Sequence, residues 1–195
     1  MKPHRFLIAS CIGLICVSST RGGKSDFGDC SVEIQVKMNS DGRTLTVLKE
    51  AEYIDPNDEH WIAPVNAKVD GASIPQVFWS AIGGPLDGPY RYASVFHDVA
   101  CNERSHTWQI THQMFYYAMK CSGVEEAKAK LMFYAVWGFG PRWRPPVRGG
   151  GVPRRQEVSP EALPDESEVD KIEKWIGRKN TSLEQIETRA NSKRR

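Results

Sequence analysis

YRYASVFHDVACNERSHTWQITHQMFYYAMKCSG, residues 90–123, is the stretch on which the fold turns. Tyr92, Val95, Phe96 and Val99 recur at the i, i+3, i+4, i+7 spacing of one helical face, which predicts a helix from Tyr90 to about Asn102. Ser105 or Thr107 can cap a second helix, whose stripe is Trp108, Phe115 and Met119 and which stops at Ser122-Gly123. The link from Asn102 to His106 is short enough to force the two helices into an antiparallel hairpin. Facing positions in such a hairpin sum to a nearly constant value about the turn near Ser105, so His97 comes opposite His112. Ala93, His97 and Cys101 then share an i, i+4, i+8 stripe, with Asp98 about 100° round the first helix from His97.

Outward from the hairpin, a third helix is predicted from about Glu125 to Trp137, closed by Gly138, Gly140 and Pro141. On the N-terminal side, Val32, Ile34, Val36 and Met38 alternate with Glu33, Gln35 and Lys37, the period of a half-buried strand. Asn39-Ser40-Asp41-Gly42 supplies turn residues before the strand formers Thr44 to Leu48, and a third extended segment is expected over His60 to Val69. The apolar residues scattered through the glycine- and proline-rich stretch from Asp70 to Pro89 argue for a loop packed onto the domain. The fold class is therefore α+β: a small antiparallel N-terminal sheet, a helical hairpin and a third helix, in a single domain over residues 26–143. Residues 144–195 are poor in apolar side chains and read as a linker and a flexible, largely disordered tail. A helix from Asp165 to Ile176, with Val169, Ile172 and Ile176 on one face, is expected there but outside the core.

The ends and the cysteines bear on compartment. Lys2, His4 and Arg5 precede an apolar run from Phe6 to Val17 and then small residues, the layout of a cleaved signal peptide over residues 1–20, so a periplasmic or secreted protein is expected. Only five residues separate Arg5 from Cys11, which argues against a lipoprotein box. The expected mature chain keeps Cys30, Cys101 and Cys121; one disulfide with a third thiol left over, or one thiol recruited to a metal, are both open. A formal charge of +2 on 195 residues gives no general argument for a nucleic-acid partner.

Two imidazoles in a packed seam beside a carboxylate make a candidate for proton transfer or metal binding. The competing reading is a structural pair of core histidines with their nitrogens hydrogen-bonded. It stands for His60 and His106 too, and Ser73 lacks the neighbouring residues of a serine-hydrolase elbow. The functional reading is a metal-assisted enzyme, and the alternative is a non-catalytic binding module.

The words Val69-Asp70-Gly71-Ala72-Ser73-Ile74-Pro75, Phe78-Trp79, Gly84-Pro85, Tyr90, His97-Asp98, Phe115, Ala118-Met119 and Phe139-Gly140-Pro141-Arg142-Trp143 follow one another from about Trp61 to Trp143. In that order they resemble a bacterial and phage family catalogued as domain of unknown function 1353, which implies that the binding module would be envelope- or phage-associated. A looser resemblance is to secreted phospholipase A2, which also sets an Asp-Gly word and a glycine-bearing loop before a helix carrying His-Asp. That resemblance implies that the enzyme would be a hydrolase acting on an ester, with His97 as the catalytic base, Asp98 and Asp70 as metal ligands, carbonyls from the Gly83-Gly84 region, and a lipid or cell-envelope partner. Where the phospholipase pattern has an orienting carboxylate, this chain has His112. Calcium prefers oxygen donors and imidazoles favour zinc, so the metal set Asp70, Asp98 and His112 leaves a divalent cation, calcium or zinc, as the implied cofactor.

Overall fold

The computed structural model describes residues 14–17, 25–71, 73–84, 88–144, 154–156, 163–178 and 180–193. Strands come first: β1 (Leu14–Val17), β2 (Ile34–Met38), β3 (Leu45–Val47), β4 (Ala51–Ile54), β5 (His60–Ala63) and β6 (Lys68–Val69). A short helix α1 (Trp79–Ile82) leads to α2 (Arg91–Glu103), α3 (Trp108–Cys121) and α4 (Glu126–Phe139). A ribbon of β7 (Arg142–Trp143) and β8 (Arg155–Gln156) follows, then α5 (Glu166–Arg178) and α6 (Leu183–Lys193). This is the α+β arrangement the periodicities predict.

The strand pairs among the described residues are antiparallel: one sheet runs β1-β2-β3-β6, and β4-β5 is a separate ribbon. The β2–β3 hairpin forms as expected, its turn held by Asp41, whose carboxylate accepts from the Arg43 and Thr44 amides and the Thr44 hydroxyl. The third extended segment, expected unbroken from His60 to Val69, divides instead. Pro64 has no amide hydrogen for a ladder and Asn66 takes a left-handed φ of 68°, so the chain turns and β6 joins the other sheet. β1 falls within the expected leader; cleavage at residue 20 would make β2 an edge strand.

Helix α2 is the centre of the molecule. It packs against α3, β5 and β6, and every side chain from Tyr92 to Cys101 is buried. Tyr92 and Phe96 meet Tyr53 of β4 at ring separations of 6.3 and 5.9 Å, and burying aromatic side chains of this size contributes roughly 1.5–3 kcal/mol each. The hairpin partner α3 is capped by Thr107, whose hydroxyl accepts from the Ile110 amide. Cys30 and Cys121 form a disulfide across 91 residues of chain, tying the strand entry to the end of α3. On the loop-entropy account, closing so long a loop stabilises by about 4–5 kcal/mol.

The C-terminal segment differs from expectation. The predicted helix is present as α5, but Val169, Ile172 and Ile176, with Ile186 and Ala190 of α6, join the hydrophobic core and cover α4. The reason lies in α4, which is buried without a break from Ala129 to Phe139 and so needs apolar cover on more than one side. Of the linker and tail expected over residues 144–195, residues 145–153, 157–162, 179 and 194–195 lie outside the described residues.

Candidate metal centre between α2 and α3

One helical step separates His97 from Asp98, and the step turns their side chains toward different neighbours. His97 faces α3: its Nε2 lies 2.9 Å from Nδ1 of His112, the pairing that the hairpin register predicts. Both rings have zero exposure. One turn further along the same stripe, the Cys101 sulfur sits 3.7 Å from Nε2 and 3.8 Å from Nδ1 of His97. His97, Cys101 and His112 offer ligand atoms that all lie within 4.8 Å of one another, and they form the group of this kind among the described residues.

Aromatic rings enclose the pair. Phe115 packs on His97 at 4.7 Å between centroids. Trp108, Trp137 and Trp143 stand at 5.6, 6.5 and 6.3 Å from His112. The Trp143 indole N–H donates to the backbone carbonyl of His106 at 2.7 Å, which fixes that ring over the link between the two helices. A seam this dry strengthens every electrostatic interaction inside it.

Asp98 looks the other way. Its Oδ2 accepts from the backbone amides of Asp70 and Gly71 at 2.9 and 2.7 Å, so the carboxylate anchors the loop that follows β6. Asp70, Asp98 and Cys101 line a cleft of about 1110 Å³, together with Asn102, Ser73 and Trp79. Ser73 takes a left-handed φ of 49°, a conformation that non-glycine residues hold only under constraint. The two histidines lie behind Cys101, which is the member of the cluster that reaches the cleft wall.

Of the residues singled out in sequence, His97 and His112 are brought together, whereas Asp70 and Asp98 meet each other and stand outside the ligand cluster. Cys101 completes the cluster in their place. Its signal in the sequence is the stripe it shares with His97, which gains weight only once Cys30 and Cys121 pair with each other. The resemblance to secreted phospholipase A2 finds no support. In place of a loop offering carbonyl oxygens to a cation, the Asp70-Gly71 turn offers N–H groups to Asp98, and the Gly84 carbonyl accepts from the Tyr90 hydroxyl.

Comparison with known proteins agrees with the first resemblance and goes no further. Residues 45–136 match the model of a family described as a protein of unknown function, DUF1353. The chain is similar to two uncharacterized proteins of Sinorhizobium fredii. It is 48% identical to y4jT over 107 residues, 54% of this chain and 32% of that protein. To y4iH it is 46% identical over 91 residues, 47% of this chain and 38% of that protein. The match thus spans only about a third of each relative's length. No solved structure matches the chain.

Proposed function

We propose that this chain is an exported metalloprotein with hydrolase-like chemistry, in which His97, Cys101 and His112 take up a transition metal, zinc first. The observation that carries the reading is the convergence of three buried donors with a cleft-wall residue among them. Two imidazoles and a thiolate suit zinc and not calcium, which needs oxygen ligands. Tetrahedral zinc sets nitrogen ligands about 3.3 Å apart and nitrogen from sulfur about 3.6 Å. The His97–Cys101 separation of 3.7 Å is already close to this, the histidine nitrogens at 2.9 Å would have to part slightly, and Cys101 and His112, within 4.8 Å, would settle at the nitrogen–sulfur spacing. Such an ion would supply Lewis-acid polarisation of an ester carbonyl presented from the cleft. The chain's own part is to hold the donors dry and to keep the Asp70-Gly71 wall in place through Asp98. The disulfide supports the export half of the reading, since such bonds persist in oxidising compartments.

The competing reading is a binding module in which the histidines are structural, favoured by their mutual hydrogen bond and complete burial. Elemental analysis of mature protein from a zinc-supplemented culture separates the two. The metal reading expects stoichiometric zinc in the parent, loss of it in His97→Ala, His112→Ala and Cys101→Ser, and ester turnover that follows the zinc. A folded parent that stays metal-free when offered zinc refutes it and leaves the structural pair. Export is checked on the same sample, where a mature N-terminus near residue 20 is expected and an intact Met1 would refute it.

A further inference from the structure

We infer that Arg142 is a positioning residue for this centre, through which docking of α6 sets the orientation of the His112 ring; the inference rests on the metal reading above. The connection is continuous in space. Arg142 Nη2 donates to the Trp137 backbone carbonyl at 2.7 Å and to Asn191 Oδ1 of α6 at 2.9 Å. Its guanidinium carbon stands 4.1 Å from the centre of the Trp108 ring. Trp108 in turn meets Trp137 edge-on at 4.8 Å, and both rings pack on His112. One side chain therefore holds the start of α3, the end of α4 and the last helix of the chain in a single arrangement.

A metal-ligating histidine needs outside support for its ring plane; loss of a direct hydrogen-bond partner typically weakens metal binding about tenfold to a hundredfold, and the lower end of that range is the scale for support passed on through packed rings. The support that surrounds His112 here is a wall of indole rings; Arg142 lies directly on the Trp108 ring, which packs on that of Trp137, and holds the Trp137 backbone carbonyl. Lysine is no substitute, because a tetrahedral ammonium has no flat face to lay on Trp108 while in-plane N–H groups donate to two acceptors.

The test uses full-length protein and cobalt(II) as a spectroscopic probe. Wild-type chain should take up cobalt with absorption bands from thiolate and imidazole ligation. Arg142→Ala and Arg142→Lys should bind it about tenfold or more weakly, with displaced bands, although their far-UV circular dichroism matches the parent. Asn191→Ala, which cuts only the α6 end, should weaken uptake severalfold. Wild-type affinity and spectrum in folded Arg142→Ala overturn the inference while leaving the metal centre standing. If Arg142→Ala does not fold, Arg142→Lys and Asn191→Ala decide, and unchanged cobalt binding in both overturns it. A wild-type chain that takes up no cobalt overturns the metal reading and this inference together.

Discussion

The two polar faces of α2 are equally buried and chemically unlike. Asp98 is answered by two backbone amides from a loop 27 and 28 residues earlier in the chain. His97 is answered by side chains, the ring of His112 and the thiol of Cys101. Backbone donors cannot leave without undoing the loop that carries them, so the Asp98 contact is part of the fold. Imidazole and thiol groups carry lone pairs, and they can exchange a proton for a cation with no change of partner. Burial alone therefore does not distinguish a structural polar group from one with chemical capacity; the kind of partner does.

The sharpest way to break that distinction is Asp98→Ala. It leaves two amides beneath the domain surface without their charged acceptor, and a loss of about 3–5 kcal/mol is expected in urea unfolding. Asp98→Asn keeps an oxygen in place and should lose about 1–2 kcal/mol. Neither should change the zinc content of protein that remains folded. If Asp98→Ala melted like the parent and came metal-free, the roles of the two faces would be reversed.

The second test acts on the other face. In metal-free protein, His97→Ala and His112→Ala should each cost roughly 1–3 kcal/mol through a cavity and a stranded ring nitrogen. The double variant should cost less than the sum, since each single change already removes the shared hydrogen bond. Zinc capacity should be lost equally in both singles and fall no further in the double. Additive stabilities with zinc retained would make the pair two independent core histidines.

The same contrast explains what is legible in the sequence. The helical hairpin follows from the 3.6-residue period and a short link, and the meeting of His97 with His112 is a direct consequence of those two facts. The partner of Asp98 is not legible, because it is a pair of amides far away in sequence whose approach no local pattern encodes. Cys101 is visible on the stripe but undecided, since cysteine pairing over 91 residues is a property of the finished fold. The docking of α5 and α6 does have a sequence signal, although composition points the other way. The run Leu131 to Phe139 is apolar on all sides of α4, and one covering layer cannot bury such a helix.

The smallest effect is expected at a third kind of polar arrangement, where side-chain donors surround a half-exposed carboxylate at the surface. Glu126 at the start of α4 accepts from Lys120 and Lys130, each at 2.8 Å, and from the Tyr116 hydroxyl at 2.9 Å. Partial burial on its own would raise its pKa, but the hydrogen bonds from Lys120, Lys130 and Tyr116 outweigh it and bring the value down to about 2. A carboxylate whose folded pKa lies below its unfolded one stabilises fully above the unfolded value, and that stabilisation disappears as pH falls through the folded value. The window here runs from about pH 4.5 down to about 2. The Glu126 side chain is 45% exposed, so water screens most of the attraction and the net contribution should be about 1 kcal/mol or less. Unfolding midpoints of the parent and Glu126→Gln should therefore differ slightly at pH 6 and converge toward pH 2. A gap that stays constant over that range would mean the carboxylate charge plays no part. A gap of several kcal/mol at pH 6 would show that this pair of lysines is as deeply committed to its partner as the Asp70 and Gly71 amides are to Asp98.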